Sequence, residues 1–222
     1  MGRSAAFFDL DRTVVACNTG RLLIADLRRR GEMPLLRTIR MMTWLLRYHF
    51  GLIDLHAVAN VAAADLQGQE EGLLLERFSR WAEANVLPLL LPRARRRVEE
   101  HRRKGHLVAL LTTAPVFIAR PVAAELGCDE VISTRLEVAD GRFTGRIVPP
   151  ACYGLGKVAL AEELAAREQI NLAESWFYTD SFSDLPMLER VGHQVVVNPD
   201  PRLRRAAQRR GWTVETWMEA AA

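Results

Sequence analysis

Hydrophobic and polar positions follow two different rhythms along this chain, and the change of rhythm divides it. "AAFFDL", residues 5–10, is an apolar run that reads as a buried strand ending at its first aspartate, Asp9. From about residue 18 to 86 the apolar positions recur at helical spacing. Leu35, Ile39, Met42 and Leu46 share one stripe, with Arg37, Arg40 and Arg47 away from it. Gly31 and Pro34 punctuate the helices before that stripe, and Gly51 those after it. Pro88 and Pro92 then mark the return of the chain from a helical insert to the main domain.

The second half alternates between short apolar runs and amphipathic ones. "RARRRVEEHRRKG" predicts a helix closed by Gly105, and "HLVALLTT" a continuous apolar strand. A short helix over "FIARPVAAELG", kinked at Pro121, and a strand over "EVIST" follow. "RLEVADGRFTGRIV" alternates on both sides of Asp140-Gly141, which predicts a hairpin within 132–150. "KVALAEELAAREQ" is a helix, "SWFYT" a strand, "DLPMLERV" a short helix, "HQVVV" a strand and "PRLRRAAQRRG" a final helix. Apolar strands alternating with helices argue an α/β fold, a parallel sheet covered on both faces.

In such sheets ligands gather at the carboxyl ends of the strands. Short polar side chains stand at just those places. Asp9 closes the first strand, with Asp11 and Thr13 beyond it; Thr112 and Thr113 follow the second; Asp180 follows "SWFYT", with Asp184 four residues on. Taken singly, each aspartate reads better as a turn or cap residue, Asp184 before "LPML" above all. Placed together at neighbouring strand ends, Asp9, Asp11 and Asp180 repel one another unless a cation intervenes. A hard divalent ion with oxygen ligands, Mg²⁺, resolves that cost and suits a phosphate substrate. Thr112 is either an ordinary β-branched strand residue or a hydroxyl donor to a phosphoryl oxygen.

Composition changes this picture in three places. The chain has 222 residues and 49% hydrophobic content, enough for one core with or without a smaller subdomain. The formal net charge of +3 is too mild to argue for nucleic acid, and the arginine runs read as solvated helix faces. Against so many arginines the two lysines, Lys104 and Lys157, stand out. Lys157 opens a helix after "GLG", where a cation opposes the helix dipole unless an anion lies beside it. Cys17, Cys128 and Cys152 are scattered, which fits a reducing compartment and neither a disulfide framework nor a zinc site. No apolar run approaches the roughly 18 residues of a membrane span, and no signal peptide precedes Asp9, so a cytoplasmic protein is expected.

These residues resemble a known family. "DLDRT" is similar to the DxDxT signature of the haloacid dehalogenase-like hydrolases. "LLTTAP" resembles their second motif, Lys157 their third and "TDSFSDLP" their fourth, in the family's order from residue 5 to about 200. The insert and the hairpin resemble the phosphoserine phosphatase-like branch. The resemblance implies a Rossmann-like doubly wound core over 1–17 and 87–222, with a helical cap over 18–86 inserted after the first strand. It implies Asp9 as nucleophile through an aspartyl-phosphate, Asp11 as acid and base, and Thr112 and Lys157 on the phosphoryl oxygens. It implies Mg²⁺ on Asp9, Asp180 and the main-chain carbonyl of Asp11, with Asp184 supporting the ion or its waters. Thr13 then supports the loop.

The implied substrate is a small soluble phosphate ester. Phosphoserine phosphatases carry a Glu near the position of Asn18 for the substrate ammonium, and two glycines where this chain has "TAP". Both departures argue against phosphoserine itself. The motifs look closer to smaller bacterial relatives that include phosphatases of histidinol phosphate and of phosphatidylglycerophosphate. "LLRTIRMMTWLLRYHF" fits either a packed cap helix or a basic amphipathic helix on anionic lipid. A soluble-substrate phosphatase is therefore the main expectation. A lipid-phosphate phosphatase touching the membrane surface is the alternative, and a non-catalytic phosphoryl-sensing module the third. Receiver domains share the residue types, but place acidic pair and acceptor on separate strands and lack a cap.

Overall fold

A computed structural model describes residues 2–33, 43, 60 and 63–218. The stripe of Leu35, Ile39, Met42 and Leu46, on which the lipid-surface alternative depends, lies outside the described residues. Among the described residues no helix is long and apolar enough to cross a membrane.

The elements run β1 (Ala5–Phe8), α1 (Thr19–Arg29), α2 (Glu71–Asn85), α3 (Pro92–Arg103), β2 (Leu107–Leu111), α4 (Val116–Leu126) and β3 (Glu130–Ile132). Then come β4 (Arg135–Ala139), β5 (Arg142–Val148), α5 (Leu155–Glu168), β6 (Trp176–Thr179), α6 (Leu185–Arg190), β7 (His193–Val197), α7 (Pro201–Arg210) and β8 (Thr213–Glu215). Six strands form one sheet in the order β3-β2-β1-β6-β7-β8, every pair parallel. This is the doubly wound α/β architecture expected from the alternation of strands and helices.

Period-two alternation along the central strands builds a core on each face. Ala6, Phe8, Val108 and Leu110 point into a cluster with Trp81 and Ala82 of α2, Val98 of α3 and Phe117 and Ile118 of α4. Their neighbours Ala5, Phe7, Leu107, Ala109 and Leu111 point the other way, onto Leu160 and Leu164 of α5, Met187 and Leu188 of α6 and Leu203 of α7. Both faces are covered, so the strands read as unbroken apolar runs. The register sets Phe8 beside Leu110 on one side and Tyr178 on the other. The carboxyl ends of β2, β1 and β6 therefore lie side by side.

The hairpin forms as expected. β4 and β5 pair antiparallel, and Asp140 and Gly141 both take positive φ, 50° and 72°, as a tight turn of this hand requires. Helix α4 runs through Pro121. β8 is absent from the sequence reading, because its three residues form a half-exposed edge without an apolar run.

At the opposite, amino end of the sheet, His101 is buried, with Nε2 2.8 Å from the Tyr178 hydroxyl and Nδ1 2.8 Å from His106 Nδ1. Burial, then His106, Lys104, Arg97 and His193, lower its pKa to about 3. The folded state thus favours neutral His101, while the unfolded chain takes a proton near its ordinary value of 6.5. Its contribution to stability is complete above that value and is lost as pH falls from it toward 3. The melting-temperature gap between the natural protein and His101→Gln should therefore narrow from pH 7.5 to about pH 4. Paired thermal melts check it; a constant gap contradicts the assignment.

Candidate active site

The first strand delivers Asp9, and the tight loop after it delivers Asp11 and Arg12. The Asp9 N–H donates to the Tyr178 carbonyl at 2.9 Å, continuing the pairing of β1 with β6 to the carboxylate itself. The chain then turns back, with Val14 and Val15 N–H groups both on the Leu10 carbonyl. Arg12 sits at the turn with φ 56°. Its N–H donates to the Cys17 carbonyl at 3.0 Å, and its carbonyl accepts Asn198 Nδ2 at 2.8 Å. Asn198 Oδ1 in turn accepts the N–H groups of Trp217 and Met218, tying the loop to the segment after β8.

Lys157 enters from the first turn of α5. Gly156 makes that approach feasible, because a Cβ there would lie 1.9 Å from the Ala151 carbonyl oxygen. The lysine is 1% exposed, and Nζ donates to Asp9 Oδ1 and Asp184 Oδ2, each at 2.8 Å. Burial by itself would lower the ammonium's pKa, but Asp184 and Asp9 outweigh it and hold Lys157 above the ordinary lysine range. The anion that its place at a helix N-terminus demands is thus present twice.

Each remaining carboxylate has one oxygen held and one open among the described residues. Asp11 Oδ1 accepts both the N–H of Thr19 at 3.0 Å and its hydroxyl at 2.7 Å. Burial raises the Asp11 pKa. Asp180 Oδ2 pairs with Arg12 Nε at 3.1 Å. Asp9 Oδ2, Asp11 Oδ2 and Asp180 Oδ1 have no partner among the described residues. Burial pushes Asp9 up to about 7, with Lys157 opposing and Asp184 adding to the rise. Burial and then Asp9 push Asp180 up to about 8, although Arg12 opposes. Asp184 heads α6 without a side-chain cap bond, and its Oδ2 also accepts the Thr179 hydroxyl at 2.6 Å. The cap alternative for this aspartate therefore fails.

Asp9, Asp11, Lys157, Asp180 and Asp184 line one cavity of about 410 Å³ with Arg12, Asn18, Thr113, Tyr153, Ser181, Ser183 and Asp200. Thr112 stands behind the wall: it is 1% exposed, and Oγ1 accepts the Ala114 N–H at 3.0 Å, leaving its O–H as a donor. Thr13 is fully buried, and its Oγ1 has no partner among the described residues.

The family model for haloacid dehalogenase-like hydrolases matches residues 6–189, a stretch that contains Asp9, Asp11, Lys157, Asp180 and Asp184. The chain belongs to that family. A histidinol-phosphatase of Neisseria meningitidis is 29% identical to this hydrolase over 96% of its chain and 98% of the relative's. A phosphoserine phosphatase of Mycobacterium tuberculosis is 33% identical over 98% and 72%. The crystal structure of a Bordetella pertussis protein of unknown function superposes with a TM-score of 0.88 at 31% identity, covering 98% of this chain and all of that one. This hydrolase is accordingly a phosphatase, a phosphoric monoester hydrolase.

Does the cavity suit the divalent cation that such enzymes use? The carboxyls of Asp9, Asp11, Asp180 and Asp184 outnumber the cations Lys157 and Arg12 by two, the charge of one such ion, while Asp200, also in the lining, spends both oxygens on main-chain N–H groups. The Asp9 and Asp180 carboxyls are raised chiefly by burial, and neighbouring carboxylates add to the rise. Among the described residues no three His, Cys, Asp or Glu side chains form a ready-made cage. Mg²⁺ takes one or two carboxylates and completes its shell with water and substrate oxygens, so the donor set fits.

Three supports were missed in the sequence: Thr19 on Asp11, Thr179 on Asp184 and Arg12 on Asp180. Arg12 alone carried a usable signal, standing inside "DLDRT".

Proposed function

We propose that this phosphatase hydrolyses a small soluble phosphate ester through an aspartyl-phosphate on Asp9. The observation that carries the reading is the asymmetry of the Asp9 carboxylate: Oδ1 is fixed by buried Lys157 and Oδ2 is open toward the cavity. Oδ2 attacks phosphorus, and the bond from phosphorus to the alkoxide oxygen breaks. Asp11 gives that oxygen a proton from Oδ2, the oxygen that Thr19 does not hold. Burial, which raises the Asp11 pKa, favours the protonated form needed for this step. Asp11 then takes a proton from water, the resulting hydroxide attacks phosphorus, and inorganic phosphate leaves as Asp9 is regenerated. The third N–H of Lys157 donates to a phosphoryl oxygen, and Thr112, expected there from the sequence, instead holds the turn that carries cavity-lining Thr113. Asp9, Asp180 and the Asp11 carbonyl, supported by Asp184, would hold Mg²⁺, which when bound would supply positive charge against the phosphate dianion. In this reading residues 18–86 form the cap, although α2 shares the apolar cluster of the main sheet.

The test uses Asp11→Asn. With p-nitrophenyl phosphate, whose leaving group needs no proton, the first step survives and the second lacks its base. An acid-stable, hydroxylamine-labile phosphoryl adduct on Asp9 is expected, together with EDTA-sensitive turnover in the natural protein. Absence of the adduct counts against covalent catalysis. Phosphoserine and histidinol phosphate, which the relatives' names bring forward, belong in the accompanying substrate screen.

A further inference from the structure

We propose that the leaving group of the substrate carries an anionic group of its own, a carboxylate or second phosphate, received by Arg12 and Asn18 at the cavity wall. This rests on the phosphatase reading of the site. Arg12 is committed to Asp180 only through Nε, so its two terminal nitrogens have no partner among the described residues. They form the fork that matches a carboxylate or phosphate with two parallel hydrogen bonds. The backbone below is fixed from both sides, by the Cys17 carbonyl and by Asn198. The fork is thus pre-organised, although half of the side chain is exposed. Asn18 adds a second donor: its Oδ1 is spent on the Arg21 N–H at 2.9 Å as the cap of α1, which leaves Nδ2 for the cavity.

Few carboxylate oxygens remain for a cationic leaving group among the described lining residues. Both oxygens of Asp200 are taken, one by the N–H groups of Arg202 and Leu203 and the other by that of Phe182. Asp184 Oδ2 is held by Lys157 and Thr179, at the buried back of the site. The open oxygens of Asp9, Asp11 and Asp180 are those that the reaction and the cation use. Arg202, stacked 4.2 Å over the Phe182 ring beside cavity-lining Pro201, adds positive potential at the rim.

Phosphoglycolate and phosphoethanolamine are two-carbon esters whose far ends differ in charge sign. With Mg²⁺ present, kcat/KM for phosphoglycolate should exceed that for phosphoethanolamine by about 10-fold or more, the size of one charge-assisted contact. Arg12→Gln should collapse that ratio to about 1, chiefly through the KM for phosphoglycolate. Any loss shared with p-nitrophenyl phosphate reports the Asp180 contact instead. Asn18→Asp keeps a side-chain oxygen to cap α1 and should invert the preference. Equal or better turnover of phosphoethanolamine by the natural protein, or a ratio unmoved by Arg12→Gln, overturns the proposal. If p-nitrophenyl phosphate itself is not hydrolysed, the phosphatase reading fails separately. Calorimetric affinities of Asp9→Asn for the two esters then decide the inference by the same ratio.

Discussion

Asp9→Asn should lower kcat on p-nitrophenyl phosphate by about 10⁴-fold or more, the scale seen when a covalent nucleophile is removed. The amide cannot attack phosphorus, and no neighbouring carboxylate can replace it. Asp184 has its Oδ2 bound to Lys157 and Thr179, and Asp180 is tethered to Arg12. The fold should tolerate the change. Burial already raises the Asp9 pKa to about 7, so the ionised carboxylate is a strained guest that an amide of the same shape relieves. A melting temperature equal to or above that of the natural protein is expected beside the lost activity. Steady-state kinetics and a thermal melt on one preparation check both. A variant keeping more than about 1% of kcat would remove Asp9 from its assigned role.

Lys157→Met should damage activity and fold together. The side chain is 1% exposed and bridges two buried carboxylates. Removing one member of a buried ionic group leaves uncompensated charge and costs about 3–5 kcal/mol. For a chain of this length that corresponds to a fall in melting temperature of roughly 6–20 °C. The phosphoryl oxygens also lose a donor, so kcat should drop by about 10³-fold. Adding Asp184→Asn to Lys157→Met removes one stranded charge, and part of the stability should return while activity does not. If the double variant is no more stable than the single one, the charge balance around Lys157 has been misjudged.

Much of the fold was legible because its central strands are buried on both faces. β1, β2 and β6 appear as unbroken apolar runs, and the polar residues that end them are conspicuous. Lys157 announced itself by rarity and by a helix position that needs an anion nearby. Contacts made across the fold were not legible. Thr19 meets Asp11 and Thr179 meets Asp184 because loops converge, and no local pattern encodes that. The strand end after β2 shows the limit at single-residue scale. Thr112 and Thr113 look alike in sequence, yet Thr113 lines the cavity while Thr112 caps the turn behind it. The insert carried a clear helical rhythm, but α2 buries Leu74, Trp81 and Ala82 in the core of the main sheet. Periodicity identifies a buried face without saying which surface it is buried against.

The Asn198 tie has a consequence for how this enzyme comes into being. The catalytic loop holding Asp9 and Arg12 lies far upstream of its clamp, with Arg12 186 residues before the side chain that holds it. It is clamped by Asn198, which is itself held by the N–H groups of Trp217 and Met218. Domains fold as units as synthesis proceeds, and contacts distant in sequence form late. A nascent chain that has reached only β2 therefore carries its nucleophile but neither the Asp180 carboxylate nor the clamp. Phosphoryl chemistry therefore waits for the segment through Met218, and chains cut short before it should be inert rather than unregulated hydrolases.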